Sequence, residues 1–254
     1  MSGPFPSAGA VSKVAAMLDL FGPMACVHRA AQPGVPAVSD LQLVSSGVAD
    51  PERPALFVDL VGLVPGVVPD VRYFGSDNFV GAPVDGYEAP RCLLTRPAAE
   101  ALVKVAADAE GEGYRLKLFD CYRPARAVAH FARWAADSSD TRTKAAYYPD
   151  LEKPDLFAQG YIAARSGHSR GSTLDLTLID RESGAELDMG TPFDLFSTRS
   201  WPGSDEVTAA QRTGRRLLAD LMAGHGFEPF FMEWWHFTLK DEPFPDTYFD
   251  FPVK

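Results

Sequence analysis

The sequence predicts an α+β fold, a single domain with a central, mainly antiparallel sheet and flanking helices. Segments with strand-like alternation and segments with helical periodicity both occur, but not in regular strand–helix order, which argues against a doubly wound parallel sheet. No internal repeat or heptad pattern is present, and no composition break divides residues 56–254.

Residues 1–55 are rich in Ala, Gly, Pro, Ser and Val with weak periodicity, and are expected to form an N-terminal extension, packed on the domain or partly loose. The folded domain is expected over residues 56–254. Ala98–Ala109 reads as a helix, with Pro97 suited to its first turn and Gly111 and Gly113 ending it. Tyr114–Phe119 alternates like a half-buried strand. Pro124 opens a second helix, Ala125–Asp137, with Val128, Phe131, Ala132 and Trp134 on its apolar side. Ser138–Lys153 is polar and is expected to be a surface loop. Thr173–Ile179 and Glu233–Leu239 read as strands. Between them lies a long helix, Asp205–Gly224, directing Leu217, Leu218 and Leu221 to the core.

The chain has 254 residues, 46% hydrophobic and 23% charged, which suits one domain with a sizeable core. A net charge of −10 supplies no basic surface for nucleic acid or anionic lipid and favours a small or zwitterionic substrate. The three cysteines, Cys26, Cys92 and Cys121, are odd in number and widely spaced, so reduced, buried thiols are expected rather than a disulfide framework or zinc ribbon. The apolar stretch Val14–Cys26 contains Asp19 and Pro23 and makes a poor export signal. No run approaches the roughly 20 apolar residues that span a bilayer. A soluble, cytoplasmic protein is expected, with a periplasmic or secreted one as the alternative. Nothing in the sequence fixes the oligomeric state.

Two segments carry the chemistry. In Ser166-Gly-His168-Ser-Arg-Gly171-Ser-Thr173-Leu-Asp175, a glycine-bearing loop leads into a strand on which Thr173, Asp175 and Thr177 share one face. In Phe231-Met-Glu233-Trp-Trp-His236-Phe, the aromatic density implies burial, and a buried Glu and His need partners or a task. One zinc ion satisfies both segments. His168, Asp175 and His236 form a three-ligand set of nitrogen and oxygen donors, leaving a position for water and Glu233 as the base that takes its proton. Of the five histidines, His28, His130 and His225 read as surface or structural residues, His225 at a helix end where a cation suits the last turn.

Ser166, His168, Gly171 and Asp175 match the S-x-H-x-x-G-x-A-x-D signature of the zinc D,D-peptidases, which include D-Ala-D-Ala carboxypeptidases and the D-Ala-D-Ala dipeptidases of vancomycin resistance. Thr173 stands where that signature usually has Ala. Glu233, Trp235 and His236 match the family's E-x-W-H element, and Asp120-Cys121-Tyr122-Arg123-Pro124 resembles its D-x-Y-R-P element, with Cys121 where Gly is common. Met189–Asp194, Asn78–Gly81 and Tyr248–Pro252 resemble further blocks, in the family's order. The sequence is thus similar to the family over roughly residues 56–254.

The resemblance implies the hedgehog/D,D-peptidase type of α+β fold, a single zinc ion held by His168, Asp175 and His236, and Glu233 as general base and acid. It implies that Arg123 stabilises the oxyanion, oriented by Asp120, and that Asp194 anchors the free amino group of a small dipeptide. Ser166 is expected to shape the loop or contact substrate, and Tyr87 to reach the pocket. The hydroxyl of Thr173 is expected to hydrogen-bond Asp175 or crowd the pocket. Two other readings remain open: a zinc D,D-carboxypeptidase or endopeptidase acting on cell-wall peptides, and a non-catalytic zinc-stabilised binding module. A carboxylate-capped pocket at Asp194 disfavours the first, and Glu233 with Arg123 disfavours the second.

Overall fold

The computed structural model describes residues 53–254. The N-terminal extension up to residue 52, with Cys26 and His28, lies outside the described residues. Strands β1 (Phe57–Asp59) and β3 (Leu93–Thr95) pair as a short antiparallel ribbon. The main sheet has the order β2-β4-β5-β7-β6, formed by β2 (Val68–Pro69), β4 (Tyr114–Asp120), β5 (Thr173–Asp180), β7 (His236–Leu239) and β6 (Phe227–Pro229). Only the β2–β4 pair is parallel. The fold is therefore α+β with a mainly antiparallel sheet, as the irregular order of elements predicts.

Helix α1 (Arg96–Gly111) starts with Pro97 in its first turn, where the missing N–H costs nothing, and buries Leu102, Val105 and Ala109. Helix α2 (Ala125–Ala136) follows Pro124 and buries Val128, Phe131 and Trp134. The short helix α3 (Lys144–Tyr147) falls where the polar loop Ser138–Lys153 is expected, and a second, α4 (Lys153–Ala158), starts at that loop's last residue. Buried Tyr148 packs its ring on Trp134, and Lys153 enters the core because its ammonium donates to the carbonyls of Trp134 (2.8 Å) and Asp137 (2.7 Å) over the Trp134 ring. Polarity alone could not reveal that buried use of a lysine. Helix α5 (Ala209–Ala223) is shorter than the predicted Asp205–Gly224, because Thr208 and Gln211 form a capping box that starts it. Of its leucines only Leu218 is fully buried; Leu217 and Leu221 pack at the edge of the core.

The expectation of reduced thiols is corrected. Cys92, beside β3, and Cys121, just after β4, are fully buried and joined by a disulfide across 29 positions of chain. Wide spacing in sequence says nothing about distance once β3 and the end of β4 lie side by side, as the Tyr122 N–H to Leu93 carbonyl bond shows (2.9 Å). On chain entropy, closing a loop of this length contributes about 3–4 kcal/mol.

Candidate active site

Strand β5 is buried on both faces. Leu174, Leu176 and Leu178 fill one side, and Thr173, Asp175 and Thr177 are equally shielded on the other. Solvent therefore does not explain the polar face. Asp175 lies directly beside His236 of β7. On the other side, the β4 register steps from Leu118↔Leu176 to Asp120↔Asp175, a bulge that takes up Phe119 as an extra residue and places Asp120 next to Asp175. Three adjacent strands thus deliver Asp120, Asp175 and His236 in one row.

His168 arrives from a 3-10 turn, Gly167–Arg170, capped by the Ser166 hydroxyl, which accepts from the His168 N–H (3.3 Å). Gly171 ends the turn with φ 84°, and a Cβ there would lie 2.2 Å from the Phe57 ring. That close approach is the physical reason for the glycine of the motif.

The three ligand-type atoms of His168, Asp175 and His236 lie within 4.8 Å of one another. His168 Nε2 is 3.3 Å from Asp175 Oδ2 and 3.2 Å from His236 Nδ1, and His236 Nδ1 is 3.0 Å from Asp175 Oδ1. On its other edge, His168 Nδ1 is 2.7 Å from the Cys121 carbonyl. A carbonyl only accepts, so Nδ1 carries the proton and Nε2 turns its lone pair to the cluster. Buried Asp175 Oδ1 receives no well-formed hydrogen bond among the described residues. Converging lone pairs with an unsatisfied carboxylate oxygen fit a divalent cation, and two imidazoles with one carboxylate form a donor set suited to zinc.

Glu233 sits in the turn before β7, because the strand starts at His236 rather than at Glu233 as the sequence suggests, and its Oε2 is 3.5 Å from His236 Nδ1. Burial pushes its carboxyl up to about 7, against the pull of His236, so it is poised to exchange a proton near neutrality. Arg123 donates to Asp120 (2.9 Å), lies 3.6 Å from Asp175, and sits over the adjacent Tyr73 and Phe131 rings at 5.0 and 5.1 Å. Both oxygens of Asp120 are engaged, since Tyr87 donates to the other one (2.6 Å). Burial raises the Asp120 carboxyl, while the adjacent Arg123 guanidinium opposes the rise.

These groups open on a cavity of about 240 Å³, lined by Arg123, Ser166, His168, Asp175, Asp194, Glu233 and His236, among others. That is smaller than the roughly 300–1,000 Å³ of sites taking drug-sized ligands. Asp194 reaches it from a loop, in the left-handed region (φ 61°) that, among the described residues, no other non-glycine adopts. Burial raises the Asp194 carboxyl well above the usual range, and the charges of Asp175 and Glu233 add to this. Such a group gains from a cationic partner.

The sequence-based choice of pocket tyrosine needs correction. Tyr87 does not line the cavity; its hydroxyl is committed to Asp120. Tyr73 lines it instead, donating to Asp194 at 2.9 Å. The only sequence signal for Tyr73 was its place five residues before the Asn78–Gly81 block. Thr173 also stays out of the cavity, with its hydroxyl 2.9 Å from that of Thr238 rather than on Asp175. Its Oγ1 takes the space next to Gly167, where an added Cβ would lie at 2.9 Å. Gly167 and Thr173 are therefore a matched small–large pair. Gly167→Ala alone is expected to lower the midpoint of thermal unfolding by several degrees, and Thr173→Ala to restore it in the double variant. Additive losses in that cycle would exclude the pairing. The other two histidines among the described residues have structural partners: His130 accepts the Asp85 N–H (3.1 Å) and His225 meets Asp108 (2.7 Å).

A family model described as D-ala-D-ala dipeptidase, of the M15 peptidases, matches residues 53–254. The chain belongs to this family. Membership in the M15 dipeptidase family makes it a hydrolase of the metallopeptidase kind. It is similar to proteins named D-alanyl-D-alanine dipeptidase from Enterococcus faecium, at 44% identity over 78% of this chain and 98% of the relative, and from Streptomyces coelicolor, at 47% identity over 78% and 96%. One of the same name from Escherichia coli is 36% identical over 72% of this chain and 83% of its own length. No helix among the described residues of this M15 domain is long and apolar enough to cross a membrane.

Proposed function

We propose that the chain hydrolyses D-Ala-D-Ala to two D-alanines, with zinc as its metal. The observation that supports this reading best is the juxtaposition, in one small cavity, of the His168–Asp175–His236 cluster, Glu233 and the buried Tyr73–Asp194 pair. A zinc ion held by His168, Asp175 and His236 would polarise the scissile carbonyl and acidify a water molecule.

Around it the residues divide the labour. Asp194, oriented by Tyr73, takes the substrate ammonium, fixing the cut one residue from the amino end. Glu233 removes the proton of the attacking water and returns it to the leaving amine. Arg123, held by Asp120 and two aromatic faces, aims its guanidinium at the oxyanion. Ser166 shapes the loop that presents His168. A carboxylate at the end of a small cavity disfavours an endopeptidase, which needs an open groove for a blocked amine, and a structural metal would need neither Glu233 nor Arg123.

The substrate ties the reaction to peptidoglycan metabolism and, through the resemblance, to vancomycin resistance. The Cys92–Cys121 disulfide favours an oxidising compartment, against the cytoplasmic location expected from the N-terminal sequence. Metal analysis with turnover assays tests the proposal. About one zinc per chain and hydrolysis of D-Ala-D-Ala, but not of L-Ala-L-Ala or an N-acylated peptide, are expected; cleavage of the blocked peptide would favour the carboxypeptidase reading.

A further inference from the structure

We propose that Arg165 receives the C-terminal carboxylate of the dipeptide and makes the site selective for a free acid. This rests on the dipeptidase reading above and extends it to the other end of the substrate. A zwitterionic dipeptide brings one charge of each sign, and burying either without a counter-charge is costly. Asp194 answers the ammonium. The carboxylate must enter a cavity that already presents Asp175, Asp194 and Glu233, so it needs a cation with uncommitted donors.

Two arginines line the cavity, Arg123 and Arg165. Arg123 is engaged with Asp120 at 2.9 Å, Asp175 at 3.6 Å and the Ser166 hydroxyl at 3.5 Å. Arg165 is different. Its guanidinium lies over the Tyr248 ring at 5.2 Å, and among the described residues no carboxylate pairs with it. Tyr248 also faces the Arg170 guanidinium at 5.8 Å, but Arg170 is neutralised by Glu242 at 2.8 Å. The next residue, Phe249, bonds through its N–H to the Ser169 carbonyl (2.9 Å) and through its carbonyl to the Ala125 N–H (3.0 Å), so the stacking platform is tied to the loop that carries His168.

Arg165 immediately precedes Ser166, whose hydroxyl accepts from the His168 N–H and keeps its own proton to give. A guanidinium held over an aromatic face by its π-electrons needs no carboxylate there, and its N–H groups stay available to donate to one. The guanidinium is exposed at the rim, so the pair is partly screened and acts on affinity rather than on the chemical step. An internal peptide bond or a C-terminal amide offers no charge to it.

The test compares D-Ala-D-Ala with its C-terminal amide on the metal-loaded wild-type, Arg165→Ala and Arg165→Lys proteins, with metal content and thermal midpoint as controls. Wild type is expected to prefer the free acid. Arg165→Ala is expected to raise KM for the acid about tenfold, with kcat within about twofold and the amide little changed, so that the preference collapses. Arg165→Lys should recover part of it. An acid-to-amide ratio in Arg165→Ala equal to that of wild type would overturn the assignment while leaving the dipeptidase reading intact. Wild-type protein that cleaves neither compound would instead remove the reading beneath it, and the assignment with it.

Discussion

Replacing Glu233 by Gln is expected to lower kcat for D-Ala-D-Ala by about a thousandfold, or about 4 kcal/mol in the barrier, while the protein keeps its metal. The amide has the size of the carboxyl and can still hydrogen-bond, but it cannot take a proton from water. Glu233 stands outside the cluster of ligand atoms, with its oxygen 3.5 Å from the nearest nitrogen of His236, so the cluster does not depend on it. Burial disfavours the charge of Glu233, so the variant should unfold no earlier than wild type. Loss of turnover with unchanged zinc content and an unchanged or higher thermal midpoint is the signature of a proton-transfer group. Undiminished turnover would remove Glu233 from the mechanism, and loss of zinc would make it a ligand instead.

The parts of the site that were legible in the sequence are those carried by strand periodicity and by spacing fixed in a turn. Asp175 alternates with Thr173 and Thr177, so its face follows from period two, and His168 follows from a turn that only Gly171 can close against Phe57. Glu233 and His236 are three residues apart in an aromatic stretch that Trp234, Trp235 and Phe237 bury, although its first residue, Phe231, is exposed. What stayed hidden depends on contacts between distant segments. The disulfide needs β3 alongside the end of β4, and Cys121 reads as an isolated thiol until that pairing exists. Tyr73 and Tyr87 are both buried tyrosines, and their rings are 5.7 Å apart. Only the loop carrying Asp194, 121 positions further on, decides that Tyr73 faces the cavity. Lys153 was misplaced because a side chain with a long apolar stem can reach helix-end carbonyls from a segment that looks solvated.

The second large effect is expected at Arg123, where two consequences must be separated. Removing a fixed guanidinium from a developing oxyanion costs about 3–4 kcal/mol, a loss of about two to three orders of magnitude in kcat. Arg123→Ala would also leave Asp120 buried with only the Tyr87 hydroxyl hydrogen-bonded to it and the His168 ring edge 3.5 Å away, and would take a counter-charge from beside Asp175. Stranding a buried carboxylate in this way costs about 3–5 kcal/mol of stability. A drop in activity with Arg123→Ala alone is therefore ambiguous. Arg123→Lys keeps the charge and part of the pairing with Asp120, but a single ammonium cannot serve Asp120 and the oxyanion as a planar fork does. It is expected to retain most of the thermal stability and all of the zinc while kcat still falls by about a hundredfold, with KM for D-Ala-D-Ala nearly unchanged. Wild-type kcat in Arg123→Lys would mean that charge alone suffices at this position. A rise confined to KM would move Arg123 from the oxyanion to ground-state binding of the substrate.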